Sequence, residues 1–191
     1  EAVTVRHLLA HSAGLNRLRE PLPAGGIYDW DTVVAAFAAE EPFWEPGTAH
    51  GYHTLSFGHL NGEVVRRVDG RDLGTFFREE IATPFGVDFF IGTPASEDHR
   101  VAELALPHEG SVLAGVARAA LAVDPATIER YDDPAILVPQ TLNSIPWRRA
   151  QIPGANGHAS ARGLARVYGA LVHDEGVLRP DTVALVRTPQ V

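Results

Sequence analysis

In EPGTAHGYHTLSFGHL, residues 45–60, a proline-glycine turn leads into a tyrosine flanked by histidines and then into an apolar, helix-like pattern. His50, His53 and His59 raise metal ligation, since imidazoles three or four apart on a continuous helix can share one ion. Gly51 argues against it by placing His50 in the loop ahead of the helix. No glutamate stands between paired histidines, as it does in zinc peptidase motifs. Polar histidines at a pocket rim, with no metal, are therefore the expectation. Tyr52 offers a phenol at a corner. Such a group either plugs a helix end through a bonded hydroxyl or takes part in proton transfer.

AHSAG, residues 10–14, approximates the nucleophile elbow G-x-S-x-G, with Ala10 in place of the first glycine. The elbow works only where the serine turns from a core strand into a helix, with its hydroxyl exposed and backbone amides forming an oxyanion hole. Here the residues before Ser12 are helical in pattern and prolines stop any helix after it, so Ser12 reads as a buried helix end. Ser160 heads a strong amphipathic pattern and reads as a cap. Ser56, Ser96, Ser111 and Ser144 have no activating neighbours, and a chain without lysine cannot activate a serine with one.

The elements that must position these groups follow from periodicity and caps. Thr4 caps a short helix, VRHLLAHS, that stops at Gly14, and Asp31 caps a second carrying Val33, Val34 and Phe37. REPLPAGGIYDWD between them reads as loop. Phe57, Leu60, Val64 and Val68 form one face of a third helix closed by Gly70. Asp72 caps a fourth with Leu73, Phe76, Phe77 and Ile81, limited by Pro84. VDFFIG and VAELAL read as short strands, residues 111–123 as helix, and residues 124–156, with five prolines, as a long structured loop. Ser160 then caps a helix with Leu164, Val167, Tyr168, Leu171 and Val172 on one side, ended by Gly176, and a last helix starts near Pro180. The fold class is α+β, helix-rich with modest sheet.

At 191 residues and 45% hydrophobic content the chain fits one domain with a substantial core. A net charge of −8 gives no basic footprint for nucleic acid or an anionic membrane surface. No apolar run nears the ~18 residues of a membrane span, and no signal peptide stands in these residues. The absence of cysteine removes disulfides, thiolate zinc sites and a cysteine nucleophile, and leaves the compartment open. Oligomeric state is likewise unspecified. The chain opens at Glu1, without methionine, directly into a helical pattern, so we expect an internal piece of a longer domain spanning residues 1–191.

PGTAHGYHTLSFGHLNGEVVRRVDG resembles the segment of class C serine β-lactamases, their penicillin-binding relatives and the family VIII carboxylesterases in which a proline-glycine-threonine turn precedes a tyrosine that starts a helix. TVRHLLAHSAGL is similar to that family's helix and histidine-serine-glycine stop. DLGTFFREEIATPFGV is similar to its next helix and turn, and GANGHASARGLARVYGAL to a later glycine followed by a capped helix. Together these segments cover most of the chain in the family's order.

The resemblance implies the β-lactamase/DD-peptidase-like serine hydrolase fold, with this chain as mostly its helical part plus short strands. It also implies a Ser-x-x-Lys nucleophile several dozen residues ahead of Glu1, so the chain alone is expected to be inactive. Tyr52 matches the family's tyrosine. A free tyrosine has a pKa of about 10, and bringing it to neutrality takes ~4 kcal/mol of preferential phenolate stabilisation. Nearby ammonium groups could supply most of that, and the positive end of the following helix a smaller share. Alternatively the lysine takes the serine proton and a neutral Tyr52 passes one to the leaving group.

Where the β-lactamases have tyrosine, any residue, asparagine, this chain has Tyr52, His53, Thr54. Threonine lacks the forked donor and acceptor of a carboxamide, which points away from β-lactams and towards small esters. By analogy with the family's layout, His53 faces pocket or solvent, and Asn156 with His158 lines the same cleft. The implied substrate is a small ester or amide, and no cofactor is implied because side chains carry the acyl transfer. The rival readings are a β-lactamase or DD-peptidase, a non-catalytic binding or sensor member of the fold, and an α/β-hydrolase that uses Ser12 after a strand.

Overall fold

In the computed structural model, which describes residues 3–105, 112, 138–173 and 176–189, caps set where the helices begin. Thr4 Oγ1 accepts from the His7 amide and His7 Nδ1 accepts from the Thr4 amide, starting α1 (Val5–Leu9). Helix α2 (Trp30–Ala39) starts earlier than expected because Asp29, rather than Asp31, accepts from the Thr32 amide at 2.7 Å. Helix α3 (Ser56–Asp69) ends on Gly70 at φ 93°, a left-handed cap that glycine adopts without a Cβ clash. Asp72 accepts from the Thr75 amide to start α4 (Leu73–Phe77), which runs into one turn of π-helix at Arg78–Ala82.

Strand β1 (Phe89–Ile91) falls within VDFFIG as expected, whereas residues 101–105 of VAELAL form no strand. The partner of β1 is β2 (Gly157–Ala159), antiparallel, with Phe90 opposite His158. Three residues containing a glycine carry no alternating pattern, which is why this strand was not foreseen. Part of the expected loop over 124–156 is helical, as α5 (Pro139–Leu142) and α6 (Ile145–Arg149). Their prolines sit in the first helical turn, where the missing amide costs nothing. Residues 150–156 are irregular, whereas 124–137 of that loop, and the helix expected over 111–123 apart from position 112, lie outside the described residues. Ser160 caps α7 (Ala161–Val172), which stops before Gly176, and α8 (Pro180–Val186) follows.

The core gathers Leu8 of α1, Leu15, Leu18, Leu22 and Ile27 of the following loop, Val33 and Phe37 of α2, then Leu55, Trp147 and Ile152. Helix α3 packs on α1 and α2, but not through the whole apolar stripe expected. Its buried residues are Ser56, Gly58, His59, Gly62 and Glu63, while Val68 is 84% exposed. Close approach explains the small residues. A Cβ on Gly58 would stand 2.3 Å from the Gly154 nitrogen, and one on Gly62 2.6 Å from the Trp30 ring. Glu63 accepts from Trp30 Nε1 at 2.9 Å and from Arg66 and Arg67, joining the start of α2 to α3. These contacts hold the Glu63 carboxyl down at about 2, against a desolvation that raises it. On α7 the buried residues are Gly163 and Ala170, while Leu164, Tyr168 and Val172 are exposed. No helix among the described residues is long and apolar enough to cross a membrane.

Candidate active site

The loop that carries Tyr52 is laid along the end of α1. Successive backbone bonds run from the Phe43 amide to Gly14 O (2.8 Å), from the Gly47 amide to Ser12 O (2.9 Å) and from the Gly51 amide to His11 O (3.0 Å). Trp44 Nε1 also donates to Ser12 O at 3.2 Å. The Trp44 ring lies over Gly51, where a Cβ would come within 2.4 Å of it. The proline-glycine turn closes with the Thr48 amide on Glu45 O at 3.0 Å and Gly47 at φ 89°. AHSAG is thus the backing of the tyrosine loop. Ser12 is buried at a helix end, its Oγ directed at His7 O, as the sequence predicts.

His11 holds the residues on both sides of Tyr52. Its carbonyl accepts from Gly51, and its Nδ1 accepts from the His53 amide at 3.1 Å. His53 Nδ1 in turn lies 2.6 Å from Gly51 O and donates to it. Gly51 and His53, the neighbours of Tyr52, are therefore tied to His11 and to each other, while Tyr52 itself is 65% exposed. Its ring stands 5.0 Å from that of His11, and Phe57 covers the imidazole at 4.7 Å. Helix α3 begins at Ser56, not at the tyrosine, so its positive end is separated from the phenol by three residues. The helix dipole acts within its first turn, so the phenol lies outside its reach.

His53, Asn156 and His158 are placed differently from expectation. His53 faces neither pocket nor solvent: it is 1% exposed, and burial pushes its imidazole down to about 4. The bond to the Gly51 carbonyl holds the ring in that buried position and opposes the shift. Thr54 is half-buried at the turn before α3, with Gly154 packed against its carbonyl. Asn156 is 2% exposed and does not line a cleft. Its Oδ1 accepts from the Ile152 amide (2.9 Å) and its Nδ2 donates to Trp147 O (2.6 Å) and Ala150 O (2.7 Å), so the carboxamide ties up its own loop. That loop presses Pro153 and Gly154 against Gly58, so Asn156 supports the Tyr52 region from behind.

His158 is half-buried on β2 and lines a depression of about 400 Å³ with Asp88, Phe90, Glu97 and Arg100, none of them from the tyrosine loop. Burial and the nearby Arg148 lower its pKa. Beside the tyrosine loop lies a separate depression of about 410 Å³, lined by Arg6, His7, Ser12, Thr48 and His50 among others. His59 is fully buried against Trp30, with ring centroids 5.0 Å apart. Among the described residues no three metal-ligating side chains converge. His11 was missed by sequence reasoning, which placed the helix stop at Gly14. The available signal was a histidine, one of the residues enriched at positive φ, just past the last apolar helical position.

The Beta-lactamase family model matches residues 1–190. The chain is 36% identical over 177 residues to "Esterase/beta-lactamase LipL" of Mycobacterium tuberculosis, a match that covers 90% of this chain and 40% of that protein. A crystal structure of a family VIII carboxylesterase is 40% identical, with a TM-score of 0.82 over 99% of this chain and 50% of that one. A penicillin-binding protein homologue from Caulobacter crescentus is 37% identical, with a TM-score of 0.77 over 100% of this chain and 50% of that one. The chain thus spans half the length of these solved relatives and less of the curated one. The fold is that of the β-lactamase-like serine hydrolases, represented here by helices and one two-stranded sheet.

Proposed function

The chain belongs to the Beta-lactamase family, and from that premise we propose that it forms part of a serine hydrolase of small esters in which Tyr52 transfers protons. The reaction is a two-stage acyl transfer. A serine Oγ, from a Ser-x-x-Lys segment outside this chain, attacks the ester carbonyl and the bond to the leaving alkoxide breaks. Either a Tyr52 phenolate takes the serine proton and returns it to the departing alkoxide, or the lysine amine takes it while a neutral Tyr52 passes its own proton to the alkoxide. Water then attacks the acyl-enzyme, and the serine regains its proton by the reverse route.

The observation that carries this reading is the combination at Tyr52 of a backbone clamped on both sides and a side chain left 65% exposed. Packing alone would favour a covered ring with a bonded hydroxyl. Thr54 belongs with Tyr52 as the substrate-facing residue at the asparagine position of the β-lactamases. His53 and Asn156 act behind them on loop position. The ester preference follows from Thr54, which lacks a carboxamide, and accords with the carboxylesterase relative. A β-lactamase is the second reading, favoured by the double name of the Mycobacterium tuberculosis relative.

Tyr52→Phe in the full-length protein should lower kcat on short-chain p-nitrophenyl esters by ~10²–10⁴, the range of acid–base contributions. Unchanged turnover would reduce Tyr52 to a packing residue. Turnover of a chromogenic cephalosporin with no ester hydrolysis would overturn the substrate class. A serine three positions ahead of a lysine in the upstream sequence supports catalysis, and its absence supports a binding protein.

A further inference from the structure

We infer that His11 is a positioning residue for Tyr52, holding the phenol in place by accepting the His53 amide on Nδ1; this rests on the reading of Tyr52 as the proton-transfer residue.

The backbone supplies the first reason. His11 is the only non-glycine residue at positive φ among the described residues, at 56°. It occupies the left-handed position just past α1, where the Ser12 amide reaches back to His7 O (2.9 Å) and the His11 amide to Leu8 O (3.3 Å). This is the Schellman pattern, whose left-handed position is usually glycine because a Cβ there is strained. Glycine would close the helix with less strain, so the imidazole has to contribute something glycine cannot.

That contribution is visible in the ring's contacts. Nδ1 accepts from His53 at 3.1 Å, across 42 positions of sequence, while the carbonyl of the same residue accepts from Gly51. An accepting Nδ1 requires the neutral ring with its proton on Nε2, and burial, with a smaller effect from His50, lowers the His11 pKa in that direction. The ring is also enclosed by aromatic neighbours, with Phe57 at 4.7 Å, Tyr52 at 5.0 Å, His53 at 5.5 Å and His50 at 6.0 Å. One side chain therefore fixes both the peptide leaving Tyr52 and a face of the phenol ring. His11 touches no reacting atom; it acts through Tyr52.

Three substitutions in the full-length protein separate acceptor from backbone. His11→Gly relieves the φ strain but removes the acceptor. His11→Asn keeps an acceptor at the δ1 position and tolerates the left-handed conformation. His11→Gln moves the amide one atom too far. With p-nitrophenyl ester substrates, His11→Gly and His11→Gln should lower kcat about 10- to 100-fold, the scale of a reacting group displaced by about 1 Å. KM should change less than about threefold, and His11→Asn should recover most of the lost kcat. Faster amide exchange at His53 in the Gly and Gln variants, but not in Asn, should accompany this. If His11→Gly keeps wild-type kcat, or Asn fails to restore what Gly loses in folded protein, the inference is overturned. Tyr52→Phe assayed in parallel separates the failures. Loss there with a silent His11→Gly overturns His11 alone, and retained activity there overturns both.

Discussion

Acidifying the protein from pH 7 to 4.5 should cost several kcal/mol of stability, and two buried histidines should dominate the loss. His53 and His59 are 1% and 0% exposed, and burial pulls each imidazole from 6.5 to about 4. Neither His59 nitrogen has a well-aligned hydrogen bond among the described residues, although the Leu55 and Gln151 carbonyls favour the charged form slightly. The unfolded chain protonates these rings near 6.5 and the folded one only near 4. The unfolded state therefore binds more protons between those values, and stability falls as pH falls through that window. At about 1.36 kcal/mol per pH unit, the full penalty is about 3 kcal/mol per ring below pH 4, of which about 2–3 has appeared by pH 4.5. Unfolding near pH 5 should then take up about two protons from this pair, with His11 and His158, also lowered by burial, acting in the same direction. Urea unfolding of the full-length protein from pH 7 to 4.5, followed by tryptophan fluorescence, measures the slope, since the Trp30 ring lies tilted against His59 at 5.0 Å. His59→Phe keeps a ring against Trp30 without a titrating group. It should reduce the loss between the two pH values by about 2 kcal/mol. A variant whose pH dependence matches the parent's would refute the assignment of this penalty to His59.

Two other perturbations test the supports of the tyrosine loop. Asn156→Ala strands the buried Trp147 carbonyl and Ile152 amide and the part-buried Ala150 carbonyl. At about 1–3 kcal/mol per unsatisfied buried group, it should cost at least about 2 kcal/mol in urea unfolding. Gly58→Ala puts a Cβ 2.3 Å from the Gly154 backbone nitrogen. It should destabilise by at least about 1–3 kcal/mol, the range for overpacking, and raise amide exchange at 154–156, where an unchanged exchange rate would contradict the packing described.

The legible part of this protein was local. Thr4, Asp72 and Ser160 were identified as caps and each accepts the amide three positions on. Gly70 closes α3, and Pro180 opens α8. These features need only one turn of chain, so composition and spacing fix them. The same locality misled where two candidates competed: Asp29 and Asp31 are both capable caps, and the 3₁₀ turn over Gly26–Tyr28 presents Asp29 first. Apolar periodicity misled on α3 and α7, because burial depends on what approaches. Loop 153–154 and Trp30 come close to α3 where it carries glycine, leaving Val68 in solvent.

Taken alone, the residue order determined the family resemblance, the helix caps at Thr4, Asp72 and Ser160, and Tyr52 as the residue worth testing. Each rests on side chains adjacent along the chain or one helical turn apart. Only the tertiary structure decided that His11, distant in sequence, clamps the peptides around that tyrosine. It also decided that His53 is buried and that Asn156 spends its carboxamide on its own loop. A hydrogen bond across 42 positions leaves no periodic trace. Its donor and acceptor meet only because the helix end and the loop are packed together by the same core.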